Sequence, residues 1–184
     1  MPEKTPRELH LLGSFVNTLE KEFNERPDEE ALDSPEALRG WMRDHGIPVA
    51  DPLDEQDLQR ATDFREALRR LLRANNGATL DSPVLRQLRE AADSGLIRVE
   101  VDSQGRAVTV PANPGLGALF ARLLAAVADS QAAGTWERMK ACAADDCEWA
   151  FFDESKNRSR TWCSMEVCGN RAKTRAYRAR RKQD

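Results

Sequence analysis

Cys142 and Cys147, followed by Cys163 and Cys168, are the only four cysteines among 184 residues, and the two pairs share one spacing, Cys-x4-Cys. Two short cysteine loops brought together make a tetrahedral cluster of thiolates, the donor set of a structural zinc ion. Two disulfides are the competing chemistry, and compartment decides between them. Met1-Pro2-Glu3-Lys4-Thr5-Pro6 leads into an amphipathic segment interrupted by His10 and Asn17, without the continuous apolar stretch of a signal peptide. The most apolar run, Leu116 to Ala128, contains Arg122 and is too short to cross a bilayer. A reducing, cytoplasmic location and one zinc ion held by all four cysteines are therefore expected, with buried inert thiols or a redox pair as alternatives. His10 and His45, the two histidines, lie far away in sequence and are not needed as ligands. Four sulfurs leave no coordination position for a substrate or a catalytic water, so the expected role of the ion is to organise structure.

Charge changes sign at the cysteines. The whole chain carries −3, yet residues 155–184 hold ten basic residues against Glu166 and Asp184, a net +8 that leaves −11 on the rest. A basic end on an acidic carrier points to a polyanionic partner. Arg171, Arg175, Arg178 and Lys182 fall on one face of a helix, Lys173 widens it, and Arg158 and Arg160 add charge from between the cysteine pairs. These seven are the candidate nucleic-acid contacts. The alternative is a solvated basic helix that docks on the acidic body or on another protein.

The elements that must position these groups are mostly helical, in a chain whose 40% hydrophobic and 32% charged residues suit a globular fold. Thr5-Pro6-Arg7-Glu8 has the form of a capping box, and Leu9, Leu12, Val16, Leu19 and Phe23 predict a first helix through about Glu25. Ser34-Pro35 starts a second helix that Gly46-Ile47-Pro48 ends, and Asp54 starts a third that stops at Asn75-Asn76-Gly77. Ser82-Pro83 opens a fourth, closed by Gly95. Ile97, Val99 and Val101, then Val108 and Val110, alternate around Asp102-Ser103-Gln104-Gly105, which predicts a β-hairpin. A last body helix follows Pro114-Gly115, and Ala132-Ala133-Gly134-Thr135 is the candidate boundary between a body of residues 1–134 and a finger of residues 135–184. Arg65, Arg69 and Arg73, spaced by four, are candidates to converge on an anionic ligand, against the alternative of a solvated helix shoulder paired with nearby acids. No phosphate loop, nucleophile–base set or histidine–carboxylate pattern is visible, so no enzymatic activity is expected.

In the finger, Cys142 to Cys147 predicts a knuckle, Trp149 to Phe152 a short strand, Asp153 to Asn157 a turn, and Trp162-Cys163 the returning strand. Cys168 falls near the start of a helix running to Lys182, where the positive end of the helix dipole favours a thiolate cluster. Knuckle, hairpin and a final ligand at a helix start make a treble-clef-like arrangement.

The stretch FFDESKNRSRTWCSMEVCGNR, Phe151 to Arg171, with Cys142-x4-Cys147 before it and Lys173-x-Arg175 after it, closely resembles the CGNR zinc finger, named for Cys168-Gly169-Asn170-Arg171. In that family the finger follows a helical domain called ABATE, whose opening signature is similar to Phe15-Val16-Asn17-Thr18-Leu19 and whose central helix is similar to Phe64-Arg65-Glu66-Ala67-Leu68-Arg69. Gly13-Ser14 departs from the apolar residue and Asp usual there, and Thr161 stands where a second arginine is usual. The resemblance implies a bacterial zinc protein regarded as a stress-related transcription regulator. The expectation is a mainly α chain with a small β-hairpin (α+β), a helical domain followed by the treble-clef-like four-cysteine finger. The finger would bind DNA, and the body would sense a signal or form a homodimer. Asn17, Arg65 and Arg69 are candidates for holding a small molecule in that body. An RNA-binding or protein-interaction module and a thiol redox sensor are the alternatives, and no membrane partner is expected.

Overall fold

The computed structural model describes residues 5–21, 28–49 and 52–181, apart from the side chains of Ala176 and Ala179. Helix α1, Arg7–Val16, starts after Pro6 with no side-chain cap. Pro6 itself occupies the cap position, which leaves Thr5 one residue too early to close the expected capping box. The helix also stops sooner than its apolar spacing predicts. The carbonyls of Val16 and Leu19 are taken by the Arg69 guanidinium at 2.7 and 3.3 Å. The chain then turns into β1, Leu19–Glu20, antiparallel to β2, Glu29–Glu30. The remainder of the expected helix, residues 22–25, lies outside the described residues.

The other body elements follow their local signals. Ser34 Oγ accepts the Ala37 N–H at 3.2 Å and Pro35 opens α2, Pro35–Asp44. Asp54 and Asp57 cap each other's backbone to start α3, Glu55–Ala74. Asp81, rather than Ser82, caps α4, Ser82–Ser94, by accepting the Val84 N–H. The hairpin is β3, Ile97–Val101, against β4, Ala107–Pro111, with Val99 opposite Thr109. Its turn is set by Asp102, whose Oδ1 accepts the N–H groups of Gln104 and Arg106. Helix α5, Leu116–Ala132, closes the body. It passes close to the end of α4, because a Cβ on Gly95 would lie 2.8 Å from the Ala121 nitrogen and one on Gly117 would lie 2.7 Å from the Ser94 oxygen.

One core joins these helices. Leu9, Leu12, Phe15, Leu38, Met42, Leu68, Leu72, Leu119 and Leu123 are all but sealed from solvent. Phe64 meets Phe120 edge to face at 4.7 Å, and Phe15 meets Trp41 at 5.2 Å. The core does not end with α5. A 3-10 turn, Trp136–Arg138, leads into β5, Met139–Ala141, which pairs antiparallel with β6, Ala150–Phe152. Trp136, Met139, Ala141, Ala150 and Phe152 belong to the same apolar cluster as the body helices. The strand at Phe151 therefore pairs with a segment before the first cysteine, and the expected return strand at Trp162-Cys163 is not a strand. The knuckle is itself the turn of the β5–β6 hairpin, and the other edge of β6 is taken at Ala150 by the Asn17 side chain. A π-helical turn, Met165–Gly169, starts on Ser164, whose Oγ accepts the Val167 N–H, and continues into α6, Asn170–Arg181. Among the described residues no helix is long and apolar enough to cross a membrane.

Candidate metal centre

The knuckle between β5 and β6 and the π-turn before α6 bring the four cysteine sulfurs together. All four Sγ atoms lie within 4.8 Å of one another, and Cys142, Cys147 and Cys168 are buried. Cys147 and Cys163 sulfurs are 3.6 Å apart, and Cys163 and Cys168 sulfurs 3.7 Å. Tetrahedral zinc with Zn–S bonds of about 2.3 Å sets its sulfurs about 3.8 Å apart, so the donor set fits zinc. The chemistry of the cluster suits a cation as well. S–H groups of Cys147 and Cys163 bonded to Cys142 draw its pKa well below the usual thiol range, while the same bond pushes Cys147 up to about 12 and Cys163 higher still. Four thiolates at this separation repel one another, and a divalent ion compensates them.

Backbone amides support the same charge. The N–H groups of Ala144 and Cys163 bond to the Cys142 sulfur, and that of Trp149 bonds to the Cys147 sulfur. The loop is closed by Cys147 N–H to Ala144 O at 2.9 Å and Cys142 N–H to Trp149 O at 2.9 Å. Glu148 leaves the knuckle in a left-handed conformation, φ +50°. Phe151 and Trp162 pack on the cysteines, with the Arg160 guanidinium 5.0 Å above the Phe151 ring. Arg160 Nε donates to Trp162 O at 2.8 Å and its Nη2 donates to Cys163 O, which fixes the segment carrying the third ligand.

Below the cluster lies a buried polar hub. The Asp153 carboxylate, wholly enclosed, accepts the Lys140 ammonium at 2.8 Å and the N–H groups of Ser155 and Arg160 at 2.9 Å each. Burial alone would raise the Asp153 carboxyl, but these donors hold it at about 2. Lys140 Nζ also donates to the carbonyls of Arg158 and Arg160, and Arg138 Nη1 donates to those of Asp153 and Ser155. The turn from Asp153 to Arg160 is thus shaped by side chains from the 3-10 turn and from β5.

A second network ties the knuckle to the body. Asn17 binds both backbone groups of Ala150, donating to its carbonyl at 3.0 Å and accepting its N–H at 2.7 Å. Arg69, 1% exposed, donates to the carbonyls of Glu148, Val16 and Leu19 and to Glu66. Arg65, 3% exposed, grips both oxygens of Glu30 at 2.7 Å and reaches Thr18 and Glu66. Arg73 bonds to Glu148 at 2.5 Å and to Asp145 at 2.9 Å, and Lys21 pairs with Glu148 as well. Burial would raise the Glu148 carboxyl, and the Lys21 and Arg73 partners hold it below the usual range. Asn75 donates to the carbonyls of Trp136 and Met139, and Asn76 to those of Ala141 and Thr161. The arginine ladder read from sequence as an anion site, or as a solvated shoulder paired with nearby acids, does pair with acids, on Glu30, Glu66, Asp145 and Glu148, but Arg65 and Arg69 are buried and Arg73 is half-buried. Asn17, Arg65 and Arg69 spend their polar atoms inside the chain.

The basic candidates divide into two groups. Arg160 and Arg171 hold the finger together: Arg171 Nη2 lies 3.3 Å from Asp146 Oδ1 and 3.4 Å from the Cys168 sulfur. Arg175 joins it on Asp146 at 2.5 Å, although the Arg175 side chain is largely exposed. Lys173 and Arg178 are exposed on α6, and Arg158, with φ +52°, is exposed on the turn. Lys182 lies outside the described residues. Sequence reasoning did not single out Lys140, Glu148, Asn75 or Asn76 as parts of the site. Their one legible signal is position, beside a ligand or at a helix stop, which does not reveal a partner distant in sequence.

A model of a family described as "Putative stress-induced transcription regulator", ABATE, matches residues 9–134, and a model described as "CGNR zinc finger" matches residues 138–181. No curated protein matches the chain.

Proposed function

The chain belongs to the ABATE family, with a CGNR zinc finger behind that domain, and on this premise we propose that it regulates transcription by binding DNA through its metal-ordered finger. The observation that carries the reading is α6. It is a helix with Lys173, Arg175, Arg178, Arg180 and Arg181 exposed, and the π-turn that leads into it carries the metal ligand Cys168. Exposed guanidinium and ammonium groups on a rigid helix suit a phosphate backbone, the sequence-independent part of DNA binding. The ion acts on structure alone, and the chain works in the cytoplasm as a regulator rather than as an enzyme. The body supplies sensing of a signal or dimerisation.

Zinc-loaded protein should bind duplex DNA with an affinity that falls as salt rises. Lys173→Ala with Arg178→Ala, which leaves Arg171 and Arg175 on Asp146, should weaken binding and flatten the dependence by about 0.9 log unit per lost contact. Zinc content should not change. Equal affinities and slopes for wild type and double variant would remove α6 as the DNA contact, and a stronger preference for RNA in competition would redirect the reading to RNA.

A further inference from the structure

The hairpin β3–β4 leaves one backbone edge open. Strand β3, Ile97-Arg98-Val99-Glu100-Val101, is exposed along its whole length, with Val99 at 70% and Val101 at 72%. Among the described residues its sheet has two strands only, and β3 has no second neighbour there. Flanking bonds fix which groups point outward. Ala112 N–H donates to Leu96 O at 2.8 Å and Asp102 N–H donates to Arg106 O at 2.9 Å. In an antiparallel pair this phase turns the backbone groups of Arg98 and Glu100 toward β4 and those of Ile97, Val99 and Val101 toward the open side. The edge lacks three of the usual protections: β3 contains no proline and no lysine, and its register is unbroken by a bulge.

We infer that β3 is the interface for a second copy of this chain, joined edge to edge about a two-fold axis through Val99 to form a continuous four-stranded antiparallel sheet. The strand is complementary to itself in one register. Centred on Val99, antiparallel pairing lets the outward N–H and C=O groups of Ile97, Val99 and Val101 meet those of the same residues in the second copy. It also sets Arg98 opposite Glu100 of the second copy, twice by symmetry, and Ile97 opposite Val101. The arginine and glutamate fall at the non-hydrogen-bonded positions, where opposed side chains approach most closely. The neighbouring registers of the same hydrogen-bond phase oppose two copies of Arg98 or two copies of Glu100, so charge selects the central one. In the single chain, Arg98 and Glu100 already pair along the strand at 2.6 Å, both half exposed, and association exchanges that contact for a cross-strand one. This names a surface for the dimerising role proposed above and does not depend on DNA binding, because its test reads mass without nucleic acid.

The test is sedimentation or light scattering of full-length, zinc-loaded protein. Wild type should have twice the chain mass. Arg98→Glu alone, or Glu100→Arg alone, sets like charges across the axis and should weaken association at least about tenfold. An equimolar mixture of the two variants should recover a mixed dimer, since the acidic edge of one complements the basic edge of the other. The double reversal Arg98→Glu with Glu100→Arg in one chain should associate like wild type, which separates lost complementarity from lost folding. Val99→Pro removes an outward N–H that β4 does not use and should give a monomer with unchanged zinc content. A wild type that stays monomeric at about 100 µM overturns the inference. So does a dimer indifferent to these substitutions, or a mixture that fails to associate.

Discussion

The body holds its shape with apolar volume, through Leu12, Phe15, Leu68, Leu119, Phe120 and Leu123 packed between helices. Beyond Cys142 the finger has little such volume, and a small apolar cluster around four sulfurs shares the work with buried ion pairs. The first strand pair of the finger belongs to the first regime. Met139, Ala141, Ala150 and Phe152 sit in the body core although they flank the first two metal ligands. Dependence on metal should therefore begin inside the finger, at the knuckle, and not at the linker that precedes it. A small module that borrows a core from its neighbour needs the ion only for the part that the core does not reach.

Metal removal should produce the largest effect. Structural zinc in isolated fingers supplies about 10–16 kcal/mol of binding free energy at neutral pH. Chelation, or Cys163→Ser, should abolish amide protection over residues 142–149 and 158–175 while α1, α3 and α5 stay protected. Strand β5 is the discriminating segment: retained protection there supports a borrowed core, and its loss together with the knuckle would return the boundary to the linker.

A smaller effect is expected at the buried pair. Asp153→Asn leaves the Lys140 ammonium enclosed without its counter-charge and should cost about 3–5 kcal/mol in denaturant unfolding. The folded Asp153 carboxyl, held at about 2, lies below the unfolded value of about 4. Its stabilisation is thus complete above about pH 4 and fades only as pH falls toward 2. The difference between wild type and variant should stay constant from about pH 8 to about pH 6, and a slope across that range would mean that another group carries the effect.

The smallest of the three concerns the seam between the regions. Asn17→Ala leaves the backbone N–H and C=O of Ala150 without their partners, a loss of about 1–3 kcal/mol for a buried group left unpaired. If body and finger act as one unit, the variant should lower the melting temperature and also speed zinc transfer to a chelator. A fall in melting temperature with unchanged zinc transfer would show that β6 is held by the core alone.

Much of the fold and of the metal site can be read locally. Ser34-Pro35 and Asp54-x-x-Asp57 start helices because the capping donors lie within the same turn, and the Asp102 to Gly105 turn closes its hairpin by bonds to its own backbone. The four cysteines are legible for a similar reason: a soft metal demands sulfur, and the spacing lets two short loops supply it. Reading stopped where a partner lies far along the chain. Nothing near Val16 announces that α1 ends there, because its carbonyl is taken by Arg69, and nothing near Phe151 shows that its strand partner precedes the first cysteine.

By itself, then, the sequence determined the helices of the body, the hairpin, the metal and its ligands, and the sign of charge on the last helix. Those follow from periodicity, capping chemistry and coordination preference, all of which act over a few residues. The tertiary structure alone decided that Asn17, Arg65 and Arg69 brace the interior, that Arg171 and Arg175 lean on Asp146, and that the finger shares the body core. An arginine spacing of four reads the same on a solvated face and on a buried one. Which it is depends on the carbonyls and carboxylates that distant segments bring to it, and only the packed chain supplies them.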